Sequence, residues 1–204
     1  WRGVTSDRYR DEIAYVDREA GRLLEGIRDA SGDRGSLVVV TADHGEGLGE
    51  HEEASHSYFL YETTQHVPLI VSWPGRIPPG GRVEEDIGLS DVMPLVLDLI
   101  QFEGEKEAID FERMKISAEE PVYAETYARL ARFGWRPLRS LREGRWKLIE
   151  GDRPERQFFD LVTDPGETRD LLAEGGSESL GSTARAALAR LGAEIELRRG
   201  PGKT

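Results

Sequence analysis

Leu37-Val38-Val39-Val40-Thr41-Ala42-Asp43-His44-Gly45-Glu46-Gly47-Leu48-Gly49-Glu50-His51 is the stretch on which the reading of this sequence turns. Its first four residues are apolar on both faces, the pattern of a short strand buried within a sheet. The character then changes to an acid, an imidazole and three glycines at alternate positions. Upstream, Ile13, Val16, Ala20, Leu23, Leu24 and Ile27 recur every three or four residues between Tyr9 and Ala30. That spacing predicts an amphipathic helix, stopped by Ser31-Gly32-Asp33. A helix feeding a buried strand points to α/β architecture, in which ligands bind at the carboxyl ends of strands. The Asp43-His44 turn occupies such an end.

Outward from this centre, Val67-Pro68-Leu69-Ile70-Val71 repeats the buried-strand pattern. Pro74-Gly75 and Pro78-Pro79-Gly80-Gly81 mark turns before Arg82 to Ile87. Ser90 is placed to cap a helix from Asp91 to Ile100, with Pro94 in its first turn. Residues 102–120 are acidic and pattern-poor and read as a connecting loop, with a boundary near Glu120. Beyond it the rhythm becomes one of short antiparallel strands, Val122 to Thr126, Leu138 to Arg142, Trp146 to Glu150 and Gln157 to Leu161, with turns such as Glu143-Gly144. Thr163-Asp164-Pro165-Gly166-Glu167 reads as a capped helix start, and Thr183 to Leu197 as a helix.

Composition limits the possible partners. The chain has 204 residues, 38% hydrophobic and 32% charged, a globular mixture long enough to bury a core. A net charge of −12 opposes nucleic acid and anionic membrane as partners. No apolar run approaches the roughly twenty residues of a membrane span. With no cysteine there is no disulfide, thiolate metal site or thiol nucleophile. The sequence opens at Trp1 with neither an initiator Met nor a charged-then-apolar leader, which points to a piece of a longer polypeptide. The compartment is not readable from these residues.

Three common site motifs fail on the letters. His51 and His56 are five residues apart, about 140° around a helix, so they do not form a metalloprotease pair. Glu50 stands at the third glycine of a dinucleotide loop, and Asp43, Glu46 and Glu50 would repel a pyrophosphate. A calcium loop begun at Asp43 would have Leu48 at its glycine and Ala54 at its bidentate acid. What stays open is an adjacent Asp and His reaching one metal ion where the backbone turns, Gly45 supplying the dihedrals. The alternative is a glycine turn whose Asp and His cap backbone groups.

Taken in order, Val40-Thr41-Ala42-Asp43-His44-Gly45-Glu46, Ser55-His56-Ser57-Tyr58-Phe59-Leu60-Tyr61-Glu62 and Val67-Pro68-Leu69-Ile70-Val71 resemble the second half of a sulfatase. Leu89-Ser90-Asp91-Val92-Met93-Pro94, Leu141-Arg142-Glu143-Gly144-Arg145-Trp146-Lys147-Leu148-Ile149 and Phe159-Asp160-Leu161-Val162-Thr163-Asp164-Pro165-Gly166-Glu167 extend that resemblance over most of the chain. It implies part of an alkaline-phosphatase-like three-layer sheet sandwich over residues 1–120. A small α+β subdomain with antiparallel strands follows over 121–175, then a C-terminal helix and tail over 176–204.

The implied activity is metal-dependent hydrolysis of a small-molecule or glycan sulfate ester. A phosphate or phosphonate ester hydrolase on the same scaffold, or a noncatalytic relative, are the alternatives. Asp43 matches a metal-ligand Asp, and His44 stands where many sulfatases have Asn and related phosphonate and phosphate ester hydrolases often have His. The family implies calcium, whereas an imidazole suits manganese or zinc better. His56 falls at the leaving-group Lys or His, one residue further from Tyr61 than in the Lys version. His51 is expected to bind substrate, either acting directly in catalysis or standing at the pocket rim or one hydrogen bond behind it, and His66 is expected to be structural. Arg132, Trp135, Arg136 and Arg139 form a basic-aromatic cluster, from which Arg136 is expected to contact substrate; the alternative is solvated arginines flanking a buried strand. The formylglycine nucleophile and two further Asp ligands implied by the family are expected outside these residues. A truncated sheet would leave an edge open to self-association.

Overall fold

The computed structural model describes residues 6–32, 35–101, 121–151, 155–173 and 175–199. The predicted helix is α1, Ser6–Ser31, ended where Gly32 takes φ +53°. The buried strand is β1, Val38–Thr41, and it pairs antiparallel with β2, Leu69–Ser72, setting Thr41 opposite Leu69 and Val38 opposite Ser72. The β1–β2 ribbon is covered on one side only: α3, Val92–Gln101, brings Leu95 and Leu99 onto Ile77, with Leu37, Val71 and Trp73 beside them. Val40 and Ile70 stay exposed, so two-sided apolarity here does not mean two-sided burial among the described residues. α3 starts one residue later than expected. Ser90 is not its cap; the Asp91 carboxylate instead accepts from the Gly88 N–H at 2.9 Å.

The second region is a four-stranded antiparallel meander of β3, Val122–Thr126, β4, Leu138–Glu143, β5, Trp146–Glu150, and β6, Arg156–Asp160. Its register puts Leu141 opposite Leu148 and Leu148 opposite Phe158, a row with no solvent exposure. Helix α5, Ser182–Arg198, lays Leu188, Leu191 and Ile195 on that row. The other face of the sheet, Leu138, Ile149 and Phe159, packs on Leu60 and Tyr61 from the loop that follows His56. Both faces are therefore covered, which is why β5 reads as a continuous buried run instead of an alternating one. Residues 102–120, expected as a loop, lie outside the described residues.

The segment Thr163 to Glu167 is a turn and does not start a helix. The Asp164 carboxylate accepts from Thr168 and Arg169 N–H, and Glu167 adopts φ +52°, which carries its side chain inward. There it meets Lys147 of β5, itself 1% exposed, at 3.0 Å; Lys147 Nζ also donates to Glu62 Oε1 at 2.8 Å. Glu62 opens the short helix α2, Glu62–Gln65, and is further paired with Arg142. This buried ionic knot joins the two regions beneath the loop that carries His56. Lys147 and Arg142 hold the Glu62 carboxyl below its ordinary range in spite of burial, whereas burial raises Glu167 more than Lys147 lowers it. No described helix is long and apolar enough to cross a membrane.

Candidate active site

The glycine-rich run after β1 is zipped to the segment that returns toward β2. Gly45 N donates to Thr64 O at 2.9 Å, Gly47 N to Ser55 O at 2.7 Å and Gly49 N to Glu53 O at 2.9 Å. A Cβ on Gly45 would lie 2.3 Å from Thr63 O, and one on Gly47 2.6 Å from Ser55 O. Gly45 is thus needed for close backbone approach, which corrects the expectation that it serves by unusual dihedrals; only Gly49 of the three has positive φ. Two backbones pressed together in this way place the side chains of Asp43, His44, Glu46 and His56 in one neighbourhood.

Asp43 and His44 converge. The Asp43 carboxylate accepts from the His44 N–H at 3.0 Å, and its other oxygen lies 3.8 Å from His44 Nε2. His44 Nδ1 donates to Gly45 O at 2.8 Å, which puts the ring proton on that side and leaves Nε2 with its lone pair toward the carboxylate. One carboxylate oxygen and one imidazole nitrogen fit one side of a divalent cation site. Among the described residues, no group of three or more His, Asp or Glu completes it.

The His56 ring stands 4.1 Å from that of His44, tilted by 31°. Its Nδ1 faces the Glu46 carboxylate, 3.2 and 3.4 Å from the two oxygens. The loop bearing it is tied at its base by Glu53, 4% exposed, whose carboxylate accepts from Tyr58 and Phe59 N–H at 2.8 and 3.3 Å. Burial raises the Glu53 pKa, and these two bonds pull it back in part. Past His56, Ser57 takes φ +91° and its carbonyl accepts from Thr126 Oγ1, which fastens the loop to the meander.

His51 is placed elsewhere. Its ring stacks on Tyr61 at 3.6 Å and its Nε2–H donates to Gly166 O at 3.1 Å, while burial lowers its pKa. His66 is exposed just after α2. Of the basic-aromatic residues, Arg139 is buried in β4, 3.6 Å from Glu125, and Arg136 is exposed beyond α4, Ala128–Phe133. Arg129 also packs on aromatic rings, 4.5 Å over Trp135 and 5.1 Å over Phe59.

Sequence reading missed Glu46, Glu53 and Lys147, whose partners are set only by folding. It also passed over Ser72-Trp73-Pro74-Gly75-Arg76, which carries the letters Ser-x-Pro-x-Arg of a formylglycine precursor. Ser72 pairs with Val38 at the start of β1, about 10 Å of strand from the Asp43 end. Ser72 and Asp43 line one cavity from opposite ends of the paired strands.

Comparison with known proteins gives a consistent picture. The sulfatase family model matches residues 5–102. The choline-sulfatase of Rhizobium meliloti (strain 1021) is 32% identical over 170 residues, which is 80% of this chain and 32% of that protein. A protein solved in complex with its substrate D-glucosamine-2-N,6-O-disulfate superposes with a TM-score of 0.65 at 21% identity, over 92% of this chain and 38% of that one. The phosphonate monoester hydrolase of Agrobacterium radiobacter gives 0.63 at 22% identity, over 92% and 40%. The chain spans about a third of the length of the curated relatives it matches.

Proposed function

We propose, from the premise that this chain belongs to the sulfatase family, that the protein hydrolyses sulfate esters of a small molecule or a glycan. The observation that carries this reading is the grouping of Asp43, His44 and His56 where β1 gives way to the glycine run. Sulfatases generally use a metal ion, and Asp43 and His44 would hold it here; calcium follows from the family, manganese or zinc from the imidazole. Bound there, a divalent cation supplies neutralising charge for the sulfuryl oxygens.

His56 supplies the proton. With Nδ1 turned to Glu46, its Nε2 makes no hydrogen bond to the described residues and is the atom that can protonate the departing alkoxide as the S–O bond breaks. His51, held between Tyr61 and Gly166, and the exposed Arg136 stay candidate substrate contacts, Arg136 for the ester's leaving part. The nucleophile and remaining metal ligands belong to sequence outside these residues, so the 204-residue chain by itself turns over nothing measurable. Exposed Val40 and Ile70 on the ribbon support self-association of the isolated chain.

The test is an assay with an aryl sulfate and an aryl phosphate, with manganese or calcium added, on this chain and on the polypeptide extended upstream of Trp1. The extended protein is expected to prefer sulfate, and His56→Ala to lower its kcat about 10²–10⁴-fold for an alkyl sulfate, whose leaving group needs a proton, and far less for the aryl ester. Robust turnover by the isolated chain, abolished by His56→Ala, overturns the division of the site. Preference for phosphate transfers the protein to the second reading, which His44 and the likeness in fold to a phosphonate monoester hydrolase support.

A further inference from the structure

We infer that Glu46 is a positioning residue for His56, accepting its Nδ1–H so that the second proton of the imidazolium, on Nε2, is turned outward and passes to the leaving group, which leaves the neutral Nδ1–H tautomer. The inference rests on the reading of His56 as proton donor and goes beyond it by assigning the group that orients the ring. Both Glu46 oxygens face His56 Nδ1, at 3.2 and 3.4 Å, and a carboxylate can only accept, so the shared proton sits on the imidazole. Ser55 Oγ, at 3.4 Å, is the other group near the same nitrogen and is the weaker partner by distance.

The backbone gives Glu46 little freedom to do otherwise. Gly45 and Gly47, on either side of it, are hydrogen-bonded to Thr64 O and Ser55 O, and neither tolerates a Cβ. Because Gly47 pairs with Ser55, the next residue on each strand of this zipper, Glu46 and His56, are cross-strand neighbours. The Glu46 side chain is 17% exposed, whereas that of Asp43, three residues earlier, is 89% exposed. The two acids of one loop are thus presented differently, Asp43 to the open site and Glu46 to a ring. A carboxylate that orients an imidazole from behind fixes its tautomer and plane, and losing such a partner typically costs about 10–100-fold.

Two measurements test this. In the 204-residue chain, ¹⁵N spectra of the histidine rings, recorded alkaline enough for all imidazoles to be neutral, should show His56 protonated on Nδ1. Glu46→Ala should shift it toward the Nε2-protonated form, with Glu46→Asp retaining the native signature in part. A His56 tautomer unchanged in Glu46→Ala overturns the inference.

In the active, extended protein, Glu46→Gln should lower kcat about 10–100-fold for alkyl sulfates and far less for nitrophenyl sulfates, whose leaving groups need no proton. His56→Ala should show the same selectivity more strongly, and the double variant should be no worse than His56→Ala. If His56→Ala affects all leaving groups equally, the reading of His56 as donor fails. If His56→Ala is selective and Glu46→Gln is not, only the assignment of Glu46 fails.

Discussion

Residues 121–199 and residues 6–101 carry equally legible apolar patterns and satisfy them in opposite ways. In the meander, Leu141, Leu148, Phe158, Leu191 and Ile195 are completely withdrawn from solvent, because α5 lies on one face of the sheet and the Leu60–Tyr61 loop on the other. In the earlier region, α1 buries none of its residues, and Val16 and Leu23 are 62% and 64% exposed. Periodicity identifies the face of an element that needs cover, but not where the cover comes from. The candidate site stands on the boundary between the two: its ligands and His56 come from the less covered region, while its loops are fastened to the closed one through Thr126, Gly166 and Lys147.

The largest expected effect comes from cutting that fastening. Lys147→Met removes the cation from between Glu62 and Glu167 and leaves two buried carboxylates facing one another. Breaking a buried pair in this way costs about 3–5 kcal/mol, read as a lower urea midpoint. If the loss is under about 1 kcal/mol, the knot is solvated and the two regions are joined by apolar contacts alone.

That knot also shows where sequence reading stops. The meander was legible because its partners are neighbours in the chain: Glu143-Gly144 turns β4 into β5, and their spacing sets the register. Lys147 looked like an ordinary polar residue of a strand, since its partners lie 85 and 20 positions away and nothing local names them. Asp164-Pro165-Gly166-Glu167 has the letters of a helix start, yet the chain gains more by sending Glu167 inward to Lys147 than by starting a helix. At the site, the Asp43-His44 pair was legible because adjacent residues need no fold to meet. Glu46 was visible as a charge but not as the partner of a ring ten residues on, which depends on the glycine zipper.

A paired substitution sharpens the comparison with one residue type. Leu191→Ala, at a fully buried contact of α5, is expected to cost about 2–5 kcal/mol, whereas Leu23→Ala on α1 should stay within about 0.5 kcal/mol in this chain. Both are read from denaturant midpoints at several protein concentrations. A Leu23→Ala loss that approaches that of Leu191→Ala, and grows with concentration, would mean that a second copy covers the α1 stripe, and the contrast between the regions would then belong to the monomer only.

The smallest effect is a pH dependence, because the two acids of the knot act in opposite senses. Glu62 is held below its ordinary 4.5, so its contribution is complete above that pH and is lost as pH falls through the folded value. Glu167 is raised above 4.5, so the native state keeps its proton longer than the unfolded chain. Its contribution is complete below 4.5 and fades as pH rises through the folded value. In the intact protein the two slopes occupy adjacent windows, that of Glu62 below about pH 4.5 and that of Glu167 above it. Glu167→Gln should remove the decline in Tm as pH rises above about 4.5 and leave the fall on acidification unchanged, whereas Glu62→Gln should flatten the fall on acidification. Equal slopes in the two variants would show that Lys147 is shared evenly between its acids, and the asymmetry that ties Glu62, and with it the start of α2, more firmly to the meander would be absent.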